Sequence, residues 1–179
     1  MNNLLLISSE QITRSVNKIA NEINSIGENT VIILVKENSL NFLIHILKLL
    51  TIKEYYVKYY HNLVINDFYV DKNVIIIDTL VNKGNKMEEI RNDISKYTKS
   101  IKTCCLLNKT IKGKNFTPDI IGYKVPNLDY KGFGLDYKIT QDGIDCLEKE
   151  NKNHPDNIIF KNPEYYKKVL IVIEKQSNL

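Results

Sequence analysis

The chain has 179 residues, a formal net charge of +4, and 43% hydrophobic and 26% charged residues, an ordinary composition for a soluble globular protein. A single domain over 1–179 suffices, since a chain this long buries roughly 70% of its unfolded surface. No membrane or nucleic-acid partner is expected: no apolar run reaches spanning length, Met1-Asn2-Asn3 lacks the positive region of a leader, and only Arg14 and Arg91 are arginines, so the expected place is the cytoplasm.

Leu4 to Ile7 reads as a short strand, and Ser8-Ser9-Glu10-Gln11 supplies a helix N-cap with an acid in the first turn. Ile12, Val16, Ile19, Ala20 and Ile23 follow at helical spacing as far as Gly27. Val31 to Val35 is an aliphatic run fitting a strand buried on both faces, as in a parallel sheet covered by helices. Lys36 to Ser39 forms a turn, and Leu40, Phe42, Leu43, Ile46, Leu47 and Leu50 mark a second helix.

Tyr55 to Tyr60 reads as a further strand, its tyrosines covering sheet surface. From His61 to Asn73 there is a short connection or a small hairpin through Val64-Ile65 and Phe68-Tyr69-Val70. Val74 to Ile77 is then a buried strand ending in Asp78. A short polar turn containing Gly84 leads into a helix opening with Met87-Glu88-Glu89-Ile90. Amides of such a turn and the positive end of the helix converge on one point, which suits a phosphate. The plain alternative is an ordinary strand-to-helix connection.

Ile90, Ile94 and Tyr97 give that helix its apolar face, and Ile101 to Leu107 is the next strand. Cys104 and Cys105 belong to it as buried thiols; with Cys146 the cysteines are odd in number, which suggests a reducing compartment. His45, His61 and His154 show no metal-ligand spacing, so no zinc site is expected. Strands alternating with helices argue for parallel pairing and right-handed crossovers, with ligands beyond the strand C-termini. The segment 138–163 is polar and reads as an inserted loop with a short helix near Ile144 to Leu147; Val169 to Ile173 reads as a closing strand.

Val74 to Met87 resembles the phosphoribosyl-pyrophosphate (PRPP) signature of type I phosphoribosyltransferases. Leu106-Leu107-Asn108-Lys109, Pro118-Asp119-Ile120-Ile121-Gly122, Val125-Pro126-Asn127 and Gly132 to Tyr137 narrow the resemblance to hypoxanthine-guanine phosphoribosyltransferases, over roughly Leu4 to Tyr137. The resemblance implies an α/β fold: a mainly parallel sheet flanked by helices, with a small hood from the terminal segments. It further implies purine salvage, with PRPP and hypoxanthine or guanine giving a nucleotide and pyrophosphate, and a homodimer or homotetramer.

Residue by residue, the resemblance implies magnesium held by Asp78 and Asp136, and Lys109 reaching the exocyclic oxygen of a 6-oxopurine. Asn82 stands at the general-base position, where the family has an aspartate. Substrate contacts are implied for Lys36, Asp78, Thr79, Lys83, Gly84, Asn85, Lys86, Tyr130 and Lys167. Several positions depart from the family pattern. Glu37 replaces the glycine of a pyrophosphate-binding turn, Thr79 replaces the second of two adjacent acids, and Asp129 stands where an aromatic stacks on the purine, leaving Tyr130 one position on. The Ser-Tyr pair of a closing lid is missing between His61 and Asn73. Asparagine cannot act as a base near neutral pH, which costs about 10²–10⁴-fold in rate. Weak or lost turnover is therefore expected; the alternative is a non-catalytic nucleotide- or phosphate-binding descendant.

Overall fold

A computed structural model describes residues 4–133, 135 and 158–160. The expected alternation is present: β1 (Leu4–Ile7), α1 (Ser9–Asn24), β2 (Thr30–Leu34), α2 (Leu40–Leu47), β3 (Tyr55–Tyr59), β4 (Asn73–Val81), α3 (Asn85–Ile94), β5 (Ser100–Thr110), β6 (Ile120–Pro126), β7 (Tyr130–Lys131) and β8 (Ile158–Phe160). Helix α1 begins where its serines predict. Ser8 Oγ accepts from the Gln11 amide at 3.2 Å while Gln11 Oε1 accepts from the Ser8 amide at 2.9 Å, satisfying donors on both sides of the boundary.

β3, β2, β4, β5 and β6 form, in that order, a five-stranded sheet whose every pairing is parallel. β2 and β4 are buried along their whole aliphatic runs because helices cover both faces of the sheet. Ile32, Leu34, Ile75 and Ile77 pack with Ile12, Val16, Phe42 and Ile46 of α1 and α2; Val31, Ile33, Val74 and Ile76 pack with Met87, Ile90 and Ile94 of α3. The period of two carries alternate residues to opposite layers. Past Ile77 this alternation slips: Leu80 packs on the α1 side and Val81 on the α3 side. The slip falls at Asp78-Thr79, in the middle of the signature.

β4 also runs on beyond Asp78, the expected end, to Val81. Asp78 and Leu80 keep their parallel register with Cys105 and Leu107, so ladder hydrogen bonds outlast the apolar run. Between β3 and β4 the chain makes two 3-10 turns, Tyr60–Asn62 and Asp67–Tyr69, which settles the connection against a hairpin. β3 is a sheet edge with four exposed residues; Tyr55 and Tyr56 lie at the surface, while Tyr59 is partly buried against the core.

β1, β8 and β7 form a separate three-stranded antiparallel sheet, which is the expected hood. β8 falls inside the segment 138–163 read as an inserted loop; three of its residues pair with β1 and β7 instead. The short helix expected near Ile144 and the strand at Val169 to Ile173 lie outside the described residues. Among the described residues no helix is long and apolar enough to cross a membrane.

Candidate active site

At the C-terminal ends of β2, β4 and β5 a cavity of about 460 Å³ opens, lined by Lys36, Asp78, Asn82 to Lys86, and Lys109, together with Val81, Met87, Ile111 and Asn127. This is the position at which open parallel sheets bind ligands. Eight of the residues named from the sequence therefore meet at one place, brought there from three strands.

The turn from β4 into α3 forms one wall. Gly84 caps the helix in the left-handed conformation, φ 88°, and no side chain caps the first amides of α3. The residues that carry those amides line the cavity, so the positive end of the helix lies at its wall, an arrangement suited to an anion. Lys83 is exposed here, as is Asn82. Lys86 is partly neutralised: its ammonium lies 2.7 Å from Glu89 Oε2, 3.4 Å from the Tyr60 hydroxyl and 4.8 Å from the centre of the Tyr60 ring. Hydrogen bonding to Glu89 raises its pKa.

The floor is polar and tightly held. Asp78 is 5% exposed. Its Oδ1 accepts from Ser39 Oγ at 2.9 Å, and its Oδ2 lies 3.4 Å from Lys36 Nζ. Burial raises the Asp78 pKa, outweighing the opposing pull of Lys36 and Ser39. Ser39 also accepts from the Thr79 amide at 2.9 Å, so one buried hydroxyl fixes both signature residues. Ser39 was not singled out in the sequence; its only signal was a hydroxyl residue in the turn ahead of α2.

On the opposite wall Lys109 is 7% exposed, with its ammonium 5.8 Å from the centre of the Tyr130 ring. Its backbone carbonyl accepts from Lys114 Nζ at 3.3 Å, and the same ammonium donates to Asn108 Oδ1. Burial lowers the Lys114 pKa. Lys114 thereby anchors the end of β5 from which Lys109 projects. Ile111 and Asn127 also line the cavity; Asn127 closes the Val125-Pro126-Asn127 motif but was given no substrate contact, and Ile111 belongs to no pattern that marks it in the sequence.

Two expected substrate contacts are placed elsewhere. Thr79 is fully buried and does not line the cavity, and its Oγ1 has no hydrogen-bond partner. Tyr130 is 1% exposed, donates its hydroxyl to the Pro126 carbonyl at 2.9 Å and packs in the main core, so its ring is core rather than a stacking platform. Asp136 and Lys167 lie outside the described residues.

Magnesium, expected at Asp78 and Asp136, finds a poor host in Asp78, the one of the two that lies among the described residues. Among the described residues Asp78 is the only carboxylate lining the cavity, and one oxygen is taken by Ser39 while the other faces a lysine. No group of three or more His, Cys, Asp or Glu residues is placed to hold a metal among the described residues. A divalent cation at Asp78 would be repelled by the Lys36 ammonium. The described residues do not fit the ion.

The parallel sheet, its hood and the cavity beyond the strand ends define a type I phosphoribosyltransferase fold. The solved structure of a hypoxanthine-guanine-xanthine phosphoribosyltransferase superposes with a TM-score of 0.72 at 20% identity, covering 91% of this chain and 96% of that one. The hypoxanthine-guanine phosphoribosyltransferase of Schistosoma mansoni in complex with IMP gives 0.69 at 21%, covering 92% and 84%.

Within this fold class, the sequence likeness is also to hypoxanthine-guanine phosphoribosyltransferases and phosphoribosyltransferase domain-containing proteins. Phosphoribosyltransferase domain-containing protein 1 of Homo sapiens is 40% identical over 68 residues, 37% of this chain and 30% of the relative. The hypoxanthine-guanine phosphoribosyltransferase of Aquifex aeolicus is 35% identical over 68 residues, 37% of this chain and 38% of the relative. The matches thus span about a third of these curated relatives. No protein-family model matches the chain.

Proposed function

We propose that the chain is a purine salvage phosphoribosyltransferase-type protein. Its cavity takes PRPP with a 6-oxopurine, or the product nucleotide, and its turnover is slow. The observation that supports this most is the meeting of Lys36, Asp78, the Asn82 to Lys86 turn and Lys109 around one cavity. The amides of Gly84 and Asn85, with Lys83, suit a 5′-phosphate. Lys109 is a desolvated ammonium that would donate to the exocyclic oxygen of hypoxanthine or guanine.

In the reaction, the purine nitrogen bonds to the anomeric carbon as the bond to pyrophosphate breaks, and pyrophosphate leaves with both electrons of that bond. The purine must also shed a proton. Asn82 can hydrogen-bond the ring nitrogen N7 but cannot take that proton, which passes to solvent instead. Turnover is accordingly lower by about 10²–10⁴-fold than with an acid at this position. Association into a homodimer or homotetramer belongs to the same proposal and is read by light scattering.

The test is nucleotide formation from PRPP with hypoxanthine, guanine and xanthine, wild type beside Asn82→Asp. Slow product from wild type and a rise of about 10²-fold or more in the variant are expected. Silence from both, with IMP binding retained in calorimetry, would instead support the non-catalytic nucleotide-binding reading.

A further inference from the structure

The misfit of a divalent cation has a positive counterpart in Lys36. Its ammonium already stands 3.4 Å from Asp78, the one carboxylate that lines the cavity among the described residues, in the place where a metal would balance that charge. The surrounding residues shift the balance the same way. Thr79 is neutral and buried, Asn82 is neutral, and Lys83 and Lys109 add two cations whose charges no described carboxylate within ion-pair distance offsets. Ser39, through its bonds to Asp78 and the Thr79 amide, locks the carboxylate toward the lysine.

We propose that Lys36 replaces the divalent cation, so that the cavity binds PRPP as the free polyanion with a protein ammonium as its fixed counter-charge. The inference rests on the reading of the cavity as a PRPP and purine nucleotide site. An ammonium is a compact point charge with three donors that can serve a carboxylate and a phosphate oxygen at once. Half-exposed, Lys36 reaches the cavity from the rim, at the end of β2. A ligand phosphate approaching from solvent meets it without displacing Asp78.

Calorimetric titration of the full chain with PRPP, once in EDTA and once in excess magnesium, tests this, with IMP titrated in parallel. Wild type is expected to bind PRPP with a dissociation constant that differs by less than about threefold between the two conditions. Lys36→Gln should bind PRPP about tenfold or more weakly in EDTA and recover in magnesium, because Asp78 is then free to take the ion. Lys36→Arg, which keeps the charge, should stay independent of magnesium.

Wild-type PRPP binding that appears only with magnesium, alongside normal IMP binding, overturns this inference and leaves the purine nucleotide reading standing. So does unimpaired PRPP binding by Lys36→Gln in EDTA. Loss of metal-free binding in both variants, with unchanged circular dichroism, overturns it too, since charge would then not be what counts. If neither PRPP nor IMP binds wild type, the nucleotide reading itself falls and takes the inference with it.

Discussion

Gly84 lies so close to Phe116 that a Cβ added to it would stand 2.3 Å from Cδ1 of that ring. The glycine also holds φ 88°, a left-handed conformation that costs an L-residue roughly 1–2 kcal/mol. Both constraints act at the residue that caps α3 and lines the cavity. Gly84→Ala is expected to lower stability by about 1–3 kcal/mol in urea unfolding, and to weaken IMP binding by tilting the first amides of the helix. Adding Phe116→Ala should recover only the steric share, because the dihedral cost remains.

Arg91 ties α3 to the start of β6. Its Nη2 lies 3.1 and 2.9 Å from the two Asp119 carboxylate oxygens, and Asp119 also accepts from the Thr103 amide at 2.7 Å and the Thr103 hydroxyl at 2.8 Å. Burial pushes the Asp119 pKa up, but the donors of Thr103 and Arg91 outweigh it and hold the carboxyl below its usual value of 3.8. A folded-state pKa below the unfolded one means stability that is present above pH 3.8 and lost as pH falls through the folded value. Asp119→Asn should cost about 1–3 kcal/mol at neutral pH in urea titrations, a deficit that shrinks as the pH is lowered past that window.

Asp78 has the opposite sign. Burial leads the causes and lifts its carboxyl above 3.8, so the folded protein holds this proton more tightly than the unfolded chain does. Its contribution to stability is fully present below pH 3.8 and is lost as pH rises through the folded value. Asp78→Asn is therefore expected to melt higher than wild type at neutral pH, with the two curves converging in acid. The asparagine oxygen can still accept from Ser39, so the gain comes from removing a buried charge rather than from a new contact. A functional site that costs stability is the expected pattern at a ligand cavity.

Pro118-Asp119 and Gly122 show how a motif can be legible while its role is not. They resemble a family signature, yet Asp119 is a strut between Arg91 and Thr103. Gly122 is a close-packing point: a Cβ there would meet Ser15 Oγ at 2.5 Å and the Leu106 carbonyl at 2.6 Å, where α1 crosses the sheet. Nothing in the spacing of these residues distinguishes a scaffold role from contact with a ligand.

The sequence by itself determined the layers and the location of the site. Aliphatic runs from Val31 to Val35 and Val74 to Ile77, alternating with helical periodicity, require a parallel sheet covered on both faces, because only there can continuous apolar strands be buried. A polar turn with Gly84 after such a strand marks the ligand end. Local spacing could not decide the state of the charges. That Asp78 is paired with Lys36 and pinned by Ser39, that Thr79 turns into the core, and that Tyr130 is packed rather than offered to a base follow from contacts between distant segments. Desolvation and ion pairing depend on what stands within a few ångströms in space, and those neighbours exist only once the strands are side by side.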